Sequence, residues 1–340
     1  MPPDHPTLPR ILVTGVGGPS GVCLLRALAE RPVTLLAGDI DPYAAGLYLV
    51  DAGRRVILPR GDDERFAAML LDLCKRERVE VLVPTVDSEL IPLACHREEF
   101  EAAGVRLVLA PLGTLEVCLD KWALHGRCHG RVRTPDTVLL DAAFDPASVA
   151  LPVIVKPRTG SGSRGIRRVE SVGELGRLER DESLLAQELL PGAEYSLDVL
   201  ARSDGRVIAV VPRERLKIDS GIAVTARTHH EQALERIGRE VAELIGLTGV
   251  ANVQVKGDVH GEPALLEVNP RFPGTMALTV ASGPDMPWLC VAEALGEQMP
   301  KEILPFVDIA MVRFFQERFL PFGEITSLQS SVVDPVAVSP

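Results

Sequence analysis

The stretch ANVQVKGDVHGEPALLEVNPRFPGT, Ala251 to Thr275, decides how this chain is read. Two short alternating runs, Asn252–Gly257 and Pro263–Asn269, flank a polar segment that contains Gly261. Paired as an antiparallel hairpin centred on His260–Gly261, they set Gln254 opposite Glu267 and Asn252 opposite Asn269. Alternate positions of a strand share a face, so Gln254, Glu267 and Asn269 project together. Two amide oxygens and a carboxylate suit a hard cation such as Mg²⁺. Arg271 follows just past the second run, where a guanidinium can hold a phosphate oxygen by two hydrogen bonds. An ordinary hairpin with a solvated polar face fits the same spacing equally well.

Gln254, followed by Glu267-Val-Asn269-Pro-Arg271, resembles the magnesium-binding end of an ATP-grasp domain. The likeness is to the type in the large subunit of carbamoyl-phosphate synthetase, whose corresponding ligands are also Gln, Glu and Asn. Motifs upstream bear on that resemblance, and composition bounds it.

At 340 residues the chain can hold two or three subdomains and a substantial core. Its 46% hydrophobic content is that of an ordinary globular protein. No apolar run approaches the roughly 20 residues of a membrane span, and the opening MPPDHPTLPR lacks the apolar core of a signal peptide. Six scattered cysteines without a C-x-x-C spacing read as reduced thiols. A net charge of −11 argues against nucleic acid or an anionic membrane as partner, and 4% aromatic residues leave little for base stacking. The expectation is a cytoplasmic α/β protein.

Ile11–Thr14 reads as a strand, followed by Gly15-Val-Gly17-Gly18-Pro-Ser-Gly21 and a helix with Val22, Leu25 and Leu28 on one side. A second strand, Val33–Ala37, leads to Asp39. A glycine loop with an acid about 20 residues on sketches a dinucleotide site, so an NAD-dependent dehydrogenase is a rival reading. Strands at Arg55–Leu58, Val79–Val83 and Val105–Leu109, with helices at Glu64–Arg78 and Ser88–Ala103, continue the alternation. Such alternation implies a parallel sheet covered by helices. Thr85, Asp87 and Ser88 lie past a strand's carboxyl end and are either substrate contacts or helix caps. The run DIDPYAAGLYLVDAG resembles the domain that precedes carbamoyl-phosphate-synthetase-like ATP-grasp modules. In that setting the glycine loop is structural or shapes the substrate side.

Leu119-Asp120-Lys121 opens a helix, on which His125 and His129 could share a face as metal ligands, though no third ligand is evident. The strand Leu151–Lys156 delivers Lys156 into a segment with Gly160, Ser161, Gly162 and Gly165. Backbone N–H groups there can wrap phosphate oxygens, although no Walker sequence follows. VIAVVPRERLKI places Arg213, Arg215 and Lys217 on one strand face by alternation. A helix over Glu231–Gly246, a further helix after Thr275, a strand pair within Val307–Leu320 and a loose tail SSVVDPVAVSP complete the chain.

The resemblance covers roughly residues 10 to 320 and implies an N-terminal parallel-sheet, Rossmann-like pre-ATP-grasp domain followed by a two-subdomain α+β ATP-grasp fold. The expected boundaries are 1–112, 113–189 with the phosphate lid, and 190–340 with the metal site. By that likeness Lys121, Lys156, Gly160, Ser161, Gly162 and Gly165 hold the phosphates of ATP. Glu188 and Leu190, in QELLPGAEYSLDV, face adenine, and Glu194 takes the ribose hydroxyls. Gln254, Glu267 and Asn269 bind Mg²⁺, with Mn²⁺ as a substitute, and Glu267 bridges two ions. Arg271, Arg215 and Lys217 carry the catalytic charge. The implied reaction phosphorylates a small-molecule carboxylate and couples it to an amine, in a protein for which a homodimer is left open. A single ATP-grasp unit argues against the complete carbamoyl-phosphate synthetase reaction and for a stand-alone ligase; a nucleotide-binding subunit that needs a partner is the alternative.

Overall fold

The computed structural model describes residues 8–160, 165–219 and 221–329. Apolar runs at the start form a parallel sheet of β1 (Arg10–Val13), β2 (Thr34–Asp39), β3 (Arg55–Ile57), β4 (Val81–Val83) and β5 (Arg106–Leu107), in the order β3-β2-β1-β4-β5. β1 and β4 are buried on both faces, as helix-covered parallel strands are. Helices Pro19–Leu28 and Phe66–Glu77 provide the cover. The single helix expected over Ser88–Ala103 is two, Asp87–Cys95 and Arg97–Ala102. They break at His96, whose Nδ1 lies 2.9 Å from the carbonyl of Pro92. A helix at Leu112–Leu119, not anticipated, precedes the expected one at Lys121–Cys128.

A four-stranded antiparallel sheet follows: β6 (Thr137–Leu140), β7 (Val153–Pro157), β8 (Arg167–Val169) and β9 (Asp181–Glu188), in the order β6-β9-β7-β8. It has a small core of its own, built around Leu140, Val153, Val155 and Val169. The third sheet contains β10 (Glu194–Ala201), β11 (Val207–Asp219), β12 (Ile222–Thr228), β13 (Gly249–Gly257), β14 (Pro263–Asn269) and β15 (Ala310–Val312), in the order β14-β13-β10-β11-β12-β15. The helix Gln232–Ile245 buries Leu234, Ile237, Val241 and Ile245 and stops at Gly246, which takes φ +64°.

Two hydrophobic clusters tie the first sheet to the third. Leu12, Leu36 and Leu82 belong with Leu197, Val253 and Val268 in one, and Ile11 and Val13 with Leu200, Ile208 and Val250 in the other. The four-stranded sheet shares neither. The strand pair expected within Val307–Leu320 is only β15, because Arg313 onward runs as an extended strap into the helix Phe322–Gln329. The tail from Ser330 lies outside the described residues.

Candidate active site

A cavity of about 820 Å³ opens where the carboxyl ends of β1, β2 and β4 meet one face of the third sheet. The hairpin β13–β14 forms one wall. Its register pairs Asn252 with Asn269 and Gln254 with Glu267, and all four residues line the cavity. A bulge at Leu266 lies on the turn side of Glu267, so it leaves the alternation of Gln254, Glu267 and Asn269 intact. Asn269 Nδ2 donates to Glu267 Oε1 at 3.3 Å. Among the described residues no cluster of three His, Cys, Asp or Glu could hold a metal. The trio escapes that description because two of its members are amides. The rings of His125 and His129 lie with centroids 4.9 Å apart and planes tilted by 36°, and among the described residues no third such ligand joins them.

Two lysines approach from the smaller sheet and its neighbouring helix. Lys156, only 7% exposed, lies next to the end of β7 and donates from Nζ to Gln187 Oε1 at 2.7 Å. Burial lowers its ammonium to about 8; Glu267 opposes that shift and Lys121 adds to it. Lys121 Nζ donates to the Gly160 carbonyl at 2.7 Å and lies 3.8 Å from Glu267 Oε2. Asp120 caps the helix of Lys121 and is gripped by Arg158, whose Nη2 is 2.5 Å from Oδ2. Gly160, at φ +105°, lines the cavity; Gly165, at φ +73°, does not. Ser161 and Gly162 lie outside the described residues.

The charged strand departs from its expected pattern. Arg213 and Arg215 reach the cavity, but Lys217 does not. Leu216 is an extra residue against β12, which breaks the period of two and leaves Lys217 exposed. Cations side by side on one strand face repel each other, and here protein carboxylates neutralise them. Arg213 is buried against Asp198, with bonds of 2.9 and 2.5 Å, and Asp198 also accepts from Asn252 Nδ2 and Thr279 Oγ1. Arg215 pairs with Glu194, and both line the cavity. Asp198 escaped notice although Glu194, Ser196 and Asp198 recur at a period of two, which was the available signal.

Glu188 and Leu190 stand off the cavity wall. The Glu188 carboxylate accepts from Arg133 Nη2 at 3.1 and 3.0 Å and from the Asp136 N–H at 3.1 Å, while Leu190 is buried. Arg271 lines the cavity with its fork engaged by Asp87, at 2.5 Å from Nε and 3.2 Å from Nη2.

The opposite wall is acidic. Gly17 N–H donates to Asp39 Oδ2 at 2.6 Å and Asp41 N–H to Oδ1 at 3.0 Å, so this acid clamps its own loop. That arrangement engages both oxygens of the acid named in the dinucleotide reading with backbone N–H groups. A Cβ on Gly21 would come within 2.6 Å of the Gly15 carbonyl, which explains a glycine there without a ligand. Thr85 and Ser88 also line this side. Glu89, 4% exposed, accepts from Thr14 Oγ1 at 2.5 Å, and burial pushes its carboxyl up to about 7. Glu89 falls one residue beyond those singled out at the end of β4.

Residues 180–316 match the family model described as ATP-grasp in the biosynthetic pathway with Ter operon, and residues 11–108 match the PylC-like N-terminal domain. Residues 180–316 are thus similar to ATP-grasp proteins. The chain is 32% identical over 227 residues to the carbamoyl phosphate synthase large chain of Thermus thermophilus, covering 58% of this chain and 22% of that one. It is 31% identical over 158 residues to D-alanine–D-alanine ligase of Nitrosococcus oceani, covering 40% and 49%. The chain thus spans half or less of the length of these curated relatives. In fold it is similar to the biotin carboxylase domain of 2-oxoglutarate carboxylase from Hydrogenobacter thermophilus. The TM-score is 0.72 at 18% identity, covering 89% of this chain and 73% of that one. Among the described residues no helix is long and apolar enough to cross a membrane.

Proposed function

We propose that this chain is an ATP-dependent ligase that activates a carboxylate as an acyl phosphate and joins it to an amine. A carboxylate oxygen attacks the terminal phosphorus of ATP and ADP leaves; the amine nitrogen then attacks the acyl carbon and phosphate leaves. The carrying observation is the polarity of the shared cavity. Its ATP-grasp walls present Lys121, Lys156, Arg213, Arg215 and Arg271 against Glu194 and Glu267. Its N-terminal wall presents Asp39, Asp41, Asp62, Asp87 and Glu89 against Arg60. A polyphosphate fits the first side and a cationic amine the second. The relatives named as ligases and as carbamoyl phosphate synthase support the same class.

Gln254, Glu267 and Asn269 offer oxygen donors with one formal charge, a set that fits Mg²⁺ shared with substrate phosphates. Bound there, Mg²⁺ supplies neutralisation of phosphate charge. Lys156 and Lys121, with the backbone at Gly160, hold the phosphates, and Glu194 takes the ribose. Arg271, released from Asp87 or shared with it, stabilises charge on the transferred group, and Arg215 assists. Residues 1–112, 113–189 and 190–340 serve as the proposed units, each holding one of the three sheets.

The test is a phosphate-release assay over pooled carboxylates and amines, with products identified by mass spectrometry. One carboxylate alone should give slow ADP formation and, with hydroxylamine, a hydroxamate; the right amine should raise the rate and give one amide per ADP. If no carboxylate in a broad panel stimulates ADP formation, with or without amines, the ligase reading falls. The chain is then a nucleotide-binding subunit that depends on a partner.

A further inference from the structure

Arg213 is 1% exposed, and its Nη1 is buried without a hydrogen-bond partner among the described residues. Nε and Nη2 are both spent on Asp198, so the guanidinium keeps one edge free. A buried guanidinium N–H without an acceptor is costly, and Arg213 lines the cavity, from which an acceptor can reach it.

The helix Pro19–Leu28 starts on the wall of the same cavity with its first turn open. Its N-cap, Gly18, supplies no side-chain cap, and the first turn holds no acid. Gly18, Pro19 and Ser20 line the cavity, and Ser20 is 8% exposed. The unpaired N–H groups of such a turn, at the positive end of the helix dipole, favour an anion.

The turn after β14 brings these two features together. A Cβ on Gly274 would fall 2.9 Å from Pro19 Cγ and 3.9 Å from Ser20 Oγ, so the turn lies directly on the helix start. The Gly274 carbonyl accepts from Arg313 Nη2, and Arg213 bears electrostatically on Arg313. The charges of Arg313 and Asp198 both act on the Cys23 thiol, one turn further along the helix. Asp285, which also acts on that thiol, is answered by Arg31 at 2.5 Å, and Arg26 is exposed. Two guanidinium groups thus face one carboxylate, a local surplus of one positive charge. The acids of the N-terminal wall are turned elsewhere, Asp39 to the Gly17 and Asp41 N–H groups and Glu89 to Thr14.

We propose that this corner, between Arg213 and the start of the Pro19–Leu28 helix, is an anion subsite for a second carboxylate of the acid substrate, which makes that substrate a dicarboxylate. The assignment of the anion to the acid substrate rests on the ligase reading. One surplus charge suits a monoanionic carboxylate better than a phosphate ester, which carries nearly two. β11 lies two strands from β13 and three from β14, roughly 10 and 14 Å across the sheet, so an anion here stands apart from Gln254, Glu267 and Asn269. The guanidinium leans back onto β10, where Asp198 sits, and a short carbon chain spans the remainder. The reacting carboxylate is then the one at the end of the trio.

Calorimetric titration of the full chain, loaded with MgADP, tests this with succinate, glutarate and adipate against butyrate, valerate and hexanoate. For at least one chain length the dicarboxylate should bind about tenfold or more tighter than the matched monocarboxylate. Ser20→Asp sets a carboxylate in the first helical turn, where it favours the helix and competes for the subsite, so the preference should vanish. Arg213→Lys keeps a cation for Asp198 but loses the spare N–H, and should remove the preference likewise. Its circular dichroism melt is read first, and Ser20→Asp alone decides if this buried variant unfolds. No preference in the wild type at any length overturns the proposal, and so does a preference that survives Ser20→Asp. ADP formation stimulated by monocarboxylates, with no dicarboxylate preference, overturns the subsite and leaves the ligase reading standing. A preference lost in Ser20→Asp, with no ADP formation from any acid, supports the subsite and removes the ligase reading.

Discussion

The hairpin β13–β14 shifts register once and the ladder β11–β12 twice, and the position of the extra residue beside the cavity separates their roles. In the hairpin the extra residue is Leu266, on the turn side of Glu267, so the positions facing the cavity keep an unbroken period of two. In β11 it is Leu216, between Arg215 and Lys217, so one cation stays on the wall and the other leaves it. A bulge is therefore neutral or decisive according to which side of the functional residues it falls on.

The largest effect should come from the unbroken side. Glu267 is the only formal charge in its trio, so Glu267→Gln should lower Mg²⁺-dependent ADP formation by about a hundredfold or more, with little change in melting temperature. Full activity would remove the trio from the reaction. Arg271→Ala should cost more than tenfold in the same assay, since one preorganised cation at a developing charge is worth about 2–4 kcal/mol.

On the broken side the two cations should separate. Arg215→Ala should reduce kcat/KM by about tenfold, whereas Lys217→Ala should stay within about twofold. Equal losses would mean that the ladder slips its register when nucleotide binds. The smallest effect concerns Lys156, whose ammonium is held down to about 8 by burial. Affinity for ADP without metal should fall as pH rises through about 8, because the charge that attracts phosphate is lost. Glu267→Gln removes the carboxylate that favours this ammonium, so the fall should move to lower pH in calorimetric titrations.

The hairpin was legible because its pattern is local: two runs, one turn, and a register that the bulge shifts only on the turn side of Gln254 and Glu267. The parallel sheet was legible for a similar reason, as each apolar strand ends at a glycine, proline or acid. Less visible were interactions set by partners far along the chain. Glu188 is engaged by Arg133 and Arg271 by Asp87, separations of 55 and 184 residues that no period encodes. The strap beyond Arg313 failed as a strand for another reason. Its rings Phe314, Phe315 and Phe319 are exposed, so its apolar content imitates a buried element.

The grip of Arg158 on Asp120 has a mechanical meaning. The same short region carries an isolated bridge between Asp120 and Thr159, the Lys121 N–H on the Arg158 carbonyl, and Lys121 Nζ on Gly160. The root of the glycine segment is thereby coupled to the helix that begins at Lys121. Displacing the small sheet without that helix would break all four of these contacts. The clasp thus fixes Lys121, one of the two lysines on the cavity wall, to the root of the glycine segment.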